Sequence, residues 1–253
     1  YNGNCEVILM KKIPTVHKKM AAVLLFILLV GCFLLGVWHS AGKKAAKKSV
    51  YKEGTVQYHI FYNNKKEIKR MVSQGLDLNA SSQTASNAPL IMAIDALDRD
   101  RMYSMVAFLI KQGAFVNADY QTDSDIVFRR RTPLYEAVSF GDTKLLRQLL
   151  NAGASADYRD KDGTTPLMFA CYMANGSVNQ NTVDNIRSLL YAGADPSAVN
   201  QDGKTAEDYF EMGRRNIEAD MKDNRLTDEE KKQTRRYLGK IRVLLDRAVR
   251  SRR

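Results

Sequence analysis

The feature that most constrains this chain is a motif that recurs along it. Ala88-Pro89-Leu90 leads to Leu109-Ile110-Lys111-Gln112-Gly113-Ala114, and Thr132-Pro133-Leu134 leads to Leu149-Leu150-Asn151-Ala152-Gly153-Ala154. Thr165-Pro166-Leu167 then leads to Leu189-Leu190-Tyr191-Ala192-Gly193-Ala194-Asp195. Pro133 and Pro166 stand 33 residues apart, a period that belongs to stacked supersecondary units rather than to one mixed core. Proline fits the first helical position, where its missing N–H has no partner to lose, and threonine before it can cap the helix. The Gly of Gly-Ala supplies the left-handed backbone that ends a second helix. Asp162-Gly163 and Asp202-Gly203 carry tight-turn chemistry. Leu145, Leu146, Leu149 and Leu150 recur at helical spacing and predict the face on which neighbours stack.

On these residues the chain resembles the ankyrin-repeat family over about Tyr58 to Arg253. The resemblance implies an all-α solenoid of helix-turn-helix repeats joined by β-turn fingers. Asn64–Asn79 resembles a degenerate first repeat, and Gly203-Lys204-Thr205-Ala206-Glu207-Asp208 opens a terminal one with Ala206 where Pro is usual. A finger-side insertion near Asp119–Arg130 and longer inter-helix segments near Asp98–Arg101 and Asn175–Asn181 break the period. Tyr135 and Met168 replace the usual His, which leaves the polar ties between repeats open. Thr227-Asp228-Glu229-Glu230 reads as a capping box. Leu238, Ile241, Leu244, Leu245 and Val249 line one face of the helix that follows, as a lid on the open end of a solenoid requires.

The N-terminal part has a different character. Met20–Trp38 is a run of nineteen residues without a charge, flanked by Lys18-Lys19 and Lys43-Lys44. It matches the ~20 residues that an α-helix needs to cross a bilayer. Within it, Leu29-Val30-Gly31-Cys32 resembles a bacterial lipobox, so two readings stand: an uncleaved transmembrane helix, or a lipoprotein signal with lipidation at Cys32. The lysine flanks balance and leave orientation open; the lipobox points to a bacterial envelope protein with its soluble domain in the periplasm. The expected organisation is a basic segment over 1–19, the helix or signal over 20–40, a juxtamembrane linker over 41–57, and the repeats with their capping helix over 58–253.

Charge follows the same division. The net charge is +11, but Lys65–Asp202 holds 15 basic and 16 acidic residues. The excess lies in Lys11–Lys52, which has no acid, and in Lys231–Arg253, where Asp246 is the one acid. Cationic ends of this kind suit anionic lipid. Nucleic acid is not expected, because no reading motif or stacking aromatics accompany the basic residues. Three cysteines in three settings imply no disulfide framework.

No chemistry of the catalytic kind is legible. His17, His39 and His59 all precede or open the repeats, so no nucleophile-base constellation can form in the folded part, and no metal-ligand spacing or phosphate loop occurs. No enzyme, cofactor or metal is expected, and Cys171 is expected to be a buried, inert core residue. The family resemblance implies binding through finger residues and the exposed ends of first helices. Carried onto this chain, the fingers offer Arg159, Lys161 and Thr164, and the helix ends offer Asp95, Ala96, Ser139, Phe140, Tyr172 and Met173. Phe140, Tyr172 and Met173 are large and apolar there, and either meet a partner or pack on neighbouring insertions. Ile126-Val127-Phe128-Arg129-Arg130 offers a second patch, with Phe128 and Arg130 as contacts. The chain also resembles bacterial membrane-anchored ankyrin-repeat immunity proteins, which implies a secreted toxic effector as partner, such as a type VI phospholipase. A membrane-tethered scaffold for an endogenous envelope protein is the alternative.

Overall fold

The computed structural model describes residues 51–80, 88–118, 120–121, 130–174, 178–222 and 226–252. The apolar run Met20–Trp38, and Cys32 within it, lie outside the described residues. Among the described residues, no helix is long and apolar enough to cross a membrane.

Ten helices follow one another among the described residues. They are α1 (Val56–Phe61), α2 (Lys65–Ser73), α3 (Pro89–Ala96), α4 (Arg99–Lys111), α5 (Pro133–Ser139), α6 (Thr143–Asn151), α7 (Pro166–Met173), α8 (Gln180–Tyr191), α9 (Ala206–Asp220) and α10 (Asp228–Arg250). The first helices of successive pairs pack side by side in the order α1, α3, α5, α7, α9, and the second helices α6, α8 and α10 form an outer row behind them. One continuous apolar core runs through the stack from Val56 to Leu245. The all-helical expectation needs one addition, a two-residue antiparallel ladder. In it β1 (Tyr120–Gln121) pairs with β2 (Arg130–Arg131), Tyr120 opposite Arg131.

Local chemistry accounts for the helix starts. Thr132 and Thr165 precede Pro133 and Pro166, and their hydroxyls accept from Tyr135 N and Met168 N. Where proline is missing at Ala206, Thr205 and Asp208 form a reciprocal capping box that satisfies the same orphan amides. The first repeat begins earlier than Asn64: Thr55 caps α1, and Val56 and Ile60 bury its inner face. The additional residues at Asp98–Arg101 are not a longer loop. Asp98 caps α4, whose 13 residues compare with nine in α6, so the insertion lengthens the outer helix by about a turn. At the C-terminal end Thr227 and Glu230 form the expected capping box. Leu238, Ile241 and Leu245 are buried, closing the stack, whereas Leu244 and Val249 are half-buried.

The polar ties between repeats come from residues other than histidine. The Tyr135 hydroxyl donates to the buried Thr164 carbonyl of the next finger. Met168 stays local, its sulfur accepting from Thr165 N at 3.4 Å. A second set sits four residues after each helix-ending glycine, Gly75, Gly113 and Gly153. Asn79 Nδ2 donates to Gly113 O at 2.9 Å while its Oδ1 accepts from Phe115 N at 2.7 Å. Asn117 repeats the pattern on Gly153 O at 3.0 Å and Ser155 N at 2.7 Å. At the third step Asp157 Oδ1 accepts from Asp195 N at 2.6 Å, but a carboxylate has no amide to give to Gly193 O. Arg252 from the turn after α10 donates to that carbonyl instead.

Candidate protein-binding face

The inner row and the fingers are the surfaces on which contact residues were expected. Phe140 ends α5 and is 52% exposed, so it does not pack away against an insertion. Ser139 beside it is half-buried. One repeat on, Tyr172 is half-buried against the core, its ring edge-on to Tyr209 with centroids 6.1 Å apart. Its body therefore joins α7 to α9, and only part of it can meet a partner. Met212 occupies the matching place on α9 and is 40% exposed. Met173 is the last residue of α7. The side chains of Met173 and Arg130, and all of Phe128, lie outside the described residues. Arg130 is placed only by its backbone, which pairs with Gln121 in the hairpin ladder.

The fingers are tied to one another as well as exposed. Arg159 and Lys161 are exposed, yet Arg159 Nη1 donates to Val199 O of the next finger at 2.9 Å. Gln201 Nε2 donates to Lys161 O at 2.8 Å, and Gln201 N to Asp162 O at 2.9 Å. A Cβ on Gly163, whose φ is +76°, would stand 3.3 Å from the Asn200 backbone, so glycine is what lets the two fingers approach. Thr164 corrects the sequence expectation. It is 3% exposed, its N–H donates to Asp160 Oδ1 at 2.8 Å and its carbonyl accepts from Tyr135, so it builds the finger rather than contacting a partner. Asp160 is buried in that turn, and burial pushes its carboxyl above the usual range despite the amides of Thr164 and Asp162.

Other exposed apolar side chains escaped the sequence expectations. Tyr191 is 95% exposed at the end of α8, and Phe115 56% exposed after α4. Aligning the repeats on Gly-Ala reveals both. Lys111 and Asn151 hold the place of Tyr191, and Ser155 and Asp195 the place of Phe115, so each is an aromatic where its equivalents are polar or charged. On the outer row an open cleft of about 730 Å³ is lined by residues including Arg99, Tyr103, Asp142, Lys144 and Arg147. The Tyr103 hydroxyl donates to Asp142 Oδ2 at 2.6 Å, and burial together with that carboxylate pushes the phenol up to about 12. Asp142 Oδ1 meanwhile caps α6 by accepting from Leu145 N, so both carboxylate oxygens hold structure.

Cys171 is fully buried and burial raises its thiol, which keeps it from forming a thiolate. Among the described residues no three His, Cys, Asp or Glu side chains are grouped to hold a metal ion. Asp98 is a helix cap paired with Arg101, and Asp100 lies in the first turn of α4.

Comparison with known proteins agrees with the fold. Residues 102–200 match the family model described as ankyrin repeats (3 copies). The chain is 26% identical over 124 residues to an ankyrin repeat protein of fowlpox virus, an alignment covering 49% of this chain and 78% of that protein. It is 27% identical over 175 residues to the human SH3 and multiple ankyrin repeat domains protein 2, covering 58% of this chain and 9% of that one. It is 35% identical over 78 residues to mouse protein phosphatase 1 regulatory subunit 27, covering 31% of this chain and 46% of that one. The chain thus spans most of the viral protein and a minor part of the other two. The Thr-Pro starts, the Gly-Ala stops and the stacked helix pairs agree with the match of residues 102–200 to ankyrin repeats, which are protein-interaction modules.

Proposed function

We propose that this chain is a membrane-tethered, non-catalytic protein-binding module whose partner is a secreted toxic effector, which it neutralises. The observation that carries the reading is Phe140, a large apolar side chain half in solvent on the inner row; two repeats on, Met212, at the place equivalent to the neighbouring Ser139, is also exposed. Aromatic side chains in such a position make strong anchors once a partner covers them. The uncharged run Met20–Trp38 with its lysine borders supports a tether in a bacterial envelope, through a spanning helix or through acylated Cys32. A tether raises the effective concentration of an inhibitor at the bilayer, which suits a lipid-degrading effector best. The resemblance to anchored ankyrin immunity proteins supports the same partner.

The test joins binding to survival. The intact chain should capture the effector and protect cells that produce it, while Phe140→Ala should lose ~1–4 kcal/mol of binding free energy by calorimetry and most of the protection. Lys161→Ala, at an exposed finger position, should mainly change association rate and salt dependence. Tyr172→Ala is a poorer probe, since it also removes the contact with Tyr209. A chain that gives no protection and holds a resident envelope protein instead would establish the second reading, a tethered scaffold. The similarity to a human protein named for its multiple ankyrin repeat domains and to a phosphatase regulatory subunit favours that alternative.

A further inference from the structure

Helix α10 has two faces with different tasks. Its inner face closes the stack through Leu238, Ile241 and Leu245, and three of the cations in and just beyond the helix are spent on the same closure. Arg242 pairs with Glu207 and Glu211, Lys240 donates to Gln180 Oε1 at 2.9 Å, and Arg252 reaches Asp195 at 3.4 Å. The outer face is built otherwise. Lys232, Arg235, Arg236, Arg247 and Arg250 are all exposed, and at 100° per residue they fall within about a third of the helix circumference. Among the described residues, Lys232 is the one of these with an ion pair, to Glu229 at 3.8 Å between side chains about four-fifths exposed. Val243, 46% exposed, lies in the middle of the row, and Asp246 is the one acid between Arg235 and Arg250. At ~1.5 Å per residue the row is about 27 Å long.

Four arginines without a partner, aligned along one straight helix with an apolar side chain among them, need an extended anionic surface. A second copy of this chain would bring like charge against like. A nucleic acid would call for stacking groups, and the one aromatic on α10, Tyr237, is half-buried with Lys240 5.3 Å from its ring centre. The chain itself offers the reason to choose lipid, because Met20–Trp38 has the composition of a bilayer anchor. Twelve residues lie between Trp38 and Tyr51, and the thirteen Cα steps can reach ~45 Å when extended. Five helix pairs stacked ~10 Å apart extend ~40 Å, so a tether of that reach leaves α10 free to meet the same bilayer.

We infer that the outward face of α10, carrying Arg235, Arg236, Arg247 and Arg250 around Val243, docks on an anionic lipid surface. Docking there would hold the repeat array down on the membrane and so limit which directions the inner row can face. The inference rests on the membrane-tethered reading above, and the experiment separates the two. The full chain carries an environment-sensitive fluorescent amino acid at position 243, which leaves all three cysteines in place. It is reconstituted with vesicles of phosphatidylcholine alone, or with 30% phosphatidylglycerol added.

Flotation with neutral vesicles reports the tether, whereas the label reports docking. The expected result is a blue-shifted, brighter label with phosphatidylglycerol only, reversed by high salt. In the Arg235→Glu/Arg236→Glu/Arg247→Glu/Arg250→Glu variant the response should need more than about tenfold more anionic lipid. The variant should still fold, since all four side chains are exposed, and its melting temperature should fall only slightly, from the reversed charges at Arg247 and Arg250 in the last turn. A chain that floats with neutral vesicles while its label ignores phosphatidylglycerol overturns docking and leaves the tether standing. A chain that floats only with anionic vesicles, with a responding label, supports docking and overturns the tether. If the label ignores lipid and the four-arginine variant instead loses its protein partner, the face belongs to an acidic protein surface and the inference is wrong.

Discussion

At the scale of single residues, two departures from repeat regularity have physical explanations that can be tested. Asp157 stands where Asn79 and Asn117 stand in earlier repeats, and it keeps the acceptor half of their contact while losing the donor half. Arg252 fills the gap at Gly193 O. Arg252→Ala should therefore cost about 0.5–1.5 kcal/mol. Adding Asp157→Asn should recover much of it, a coupling that denaturant melts of the two single variants and the double variant would measure. Asp160 is the second case. Asn200, its equivalent one repeat on, accepts from Asp202 N at 3.1 Å and Lys204 N at 2.9 Å through the same side-chain oxygen that Asp160 offers to Asp162 and Thr164. Burial raises the Asp160 carboxyl, so its ionised form costs stability above the usual carboxylate range, and that cost is relieved as pH falls through the raised value. Asp160→Asn should keep the turn and melt at an equal or higher temperature at neutral pH. The advantage should vanish on acidification. Asp195 and Asp208 act in the opposite direction. Hydrogen bonds from Ser197 and from Thr205, respectively, hold their carboxyls low, so their contribution is present near neutrality and is lost as the solution is acidified through their lowered values.

Among the elements, α10 is the one on which the rest depend. An open solenoid ends in apolar surface, and Leu238, Ile241 and Leu245 cover it. Fully burying side chains of this kind is worth about 1.5–3 kcal/mol each. A chain ending at Leu226 should lose several kcal/mol, unfold at lower denaturant and associate through the uncovered faces of α8 and α9. Light scattering together with a chevron or melt would show this, and a shortened chain as stable and monomeric as the parent would contradict it. The inner helices respond differently: α5 is only seven residues long, too short to persist alone, so its order comes from neighbours on both sides.

For the whole molecule, the testable matter is where it resides and what it holds. If Met20–Trp38 inserts into a bilayer, the full chain should stay with membranes through high salt and carbonate, which strip proteins bound only by charge. Release by carbonate would mean adsorption through the cationic ends. Palmitate incorporation lost in Cys32→Ser would select the lipidated form, and an unlabelled, uncleaved band the spanning helix. With the tether in place, binding through Phe140 would be confined to partners that come to the membrane.

The sequence by itself determined the repeats, because their signals are local. Thr-Pro starts, Gly-Ala stops, Asp-Gly fingers and the leucines of α6 each act within one or two turns of chain, and the structure shows them where the pattern places them. It also showed the α10 capping box and the apolar face that follows. Only the tertiary structure decided which exposed-seeming residues are free. Thr164 and Tyr172 read like Arg159 and Phe140 in sequence, but the first is buried in its finger, tied to Asp160 and to Tyr135 of the repeat before, and the second leans on Tyr209. The ties through Tyr135, Asn117 and Arg252 likewise join residues 29, 36 and 59 positions apart. Exposure and cross-repeat bonding depend on which neighbour arrives across the stack, and one repeat's own residues carry no record of that.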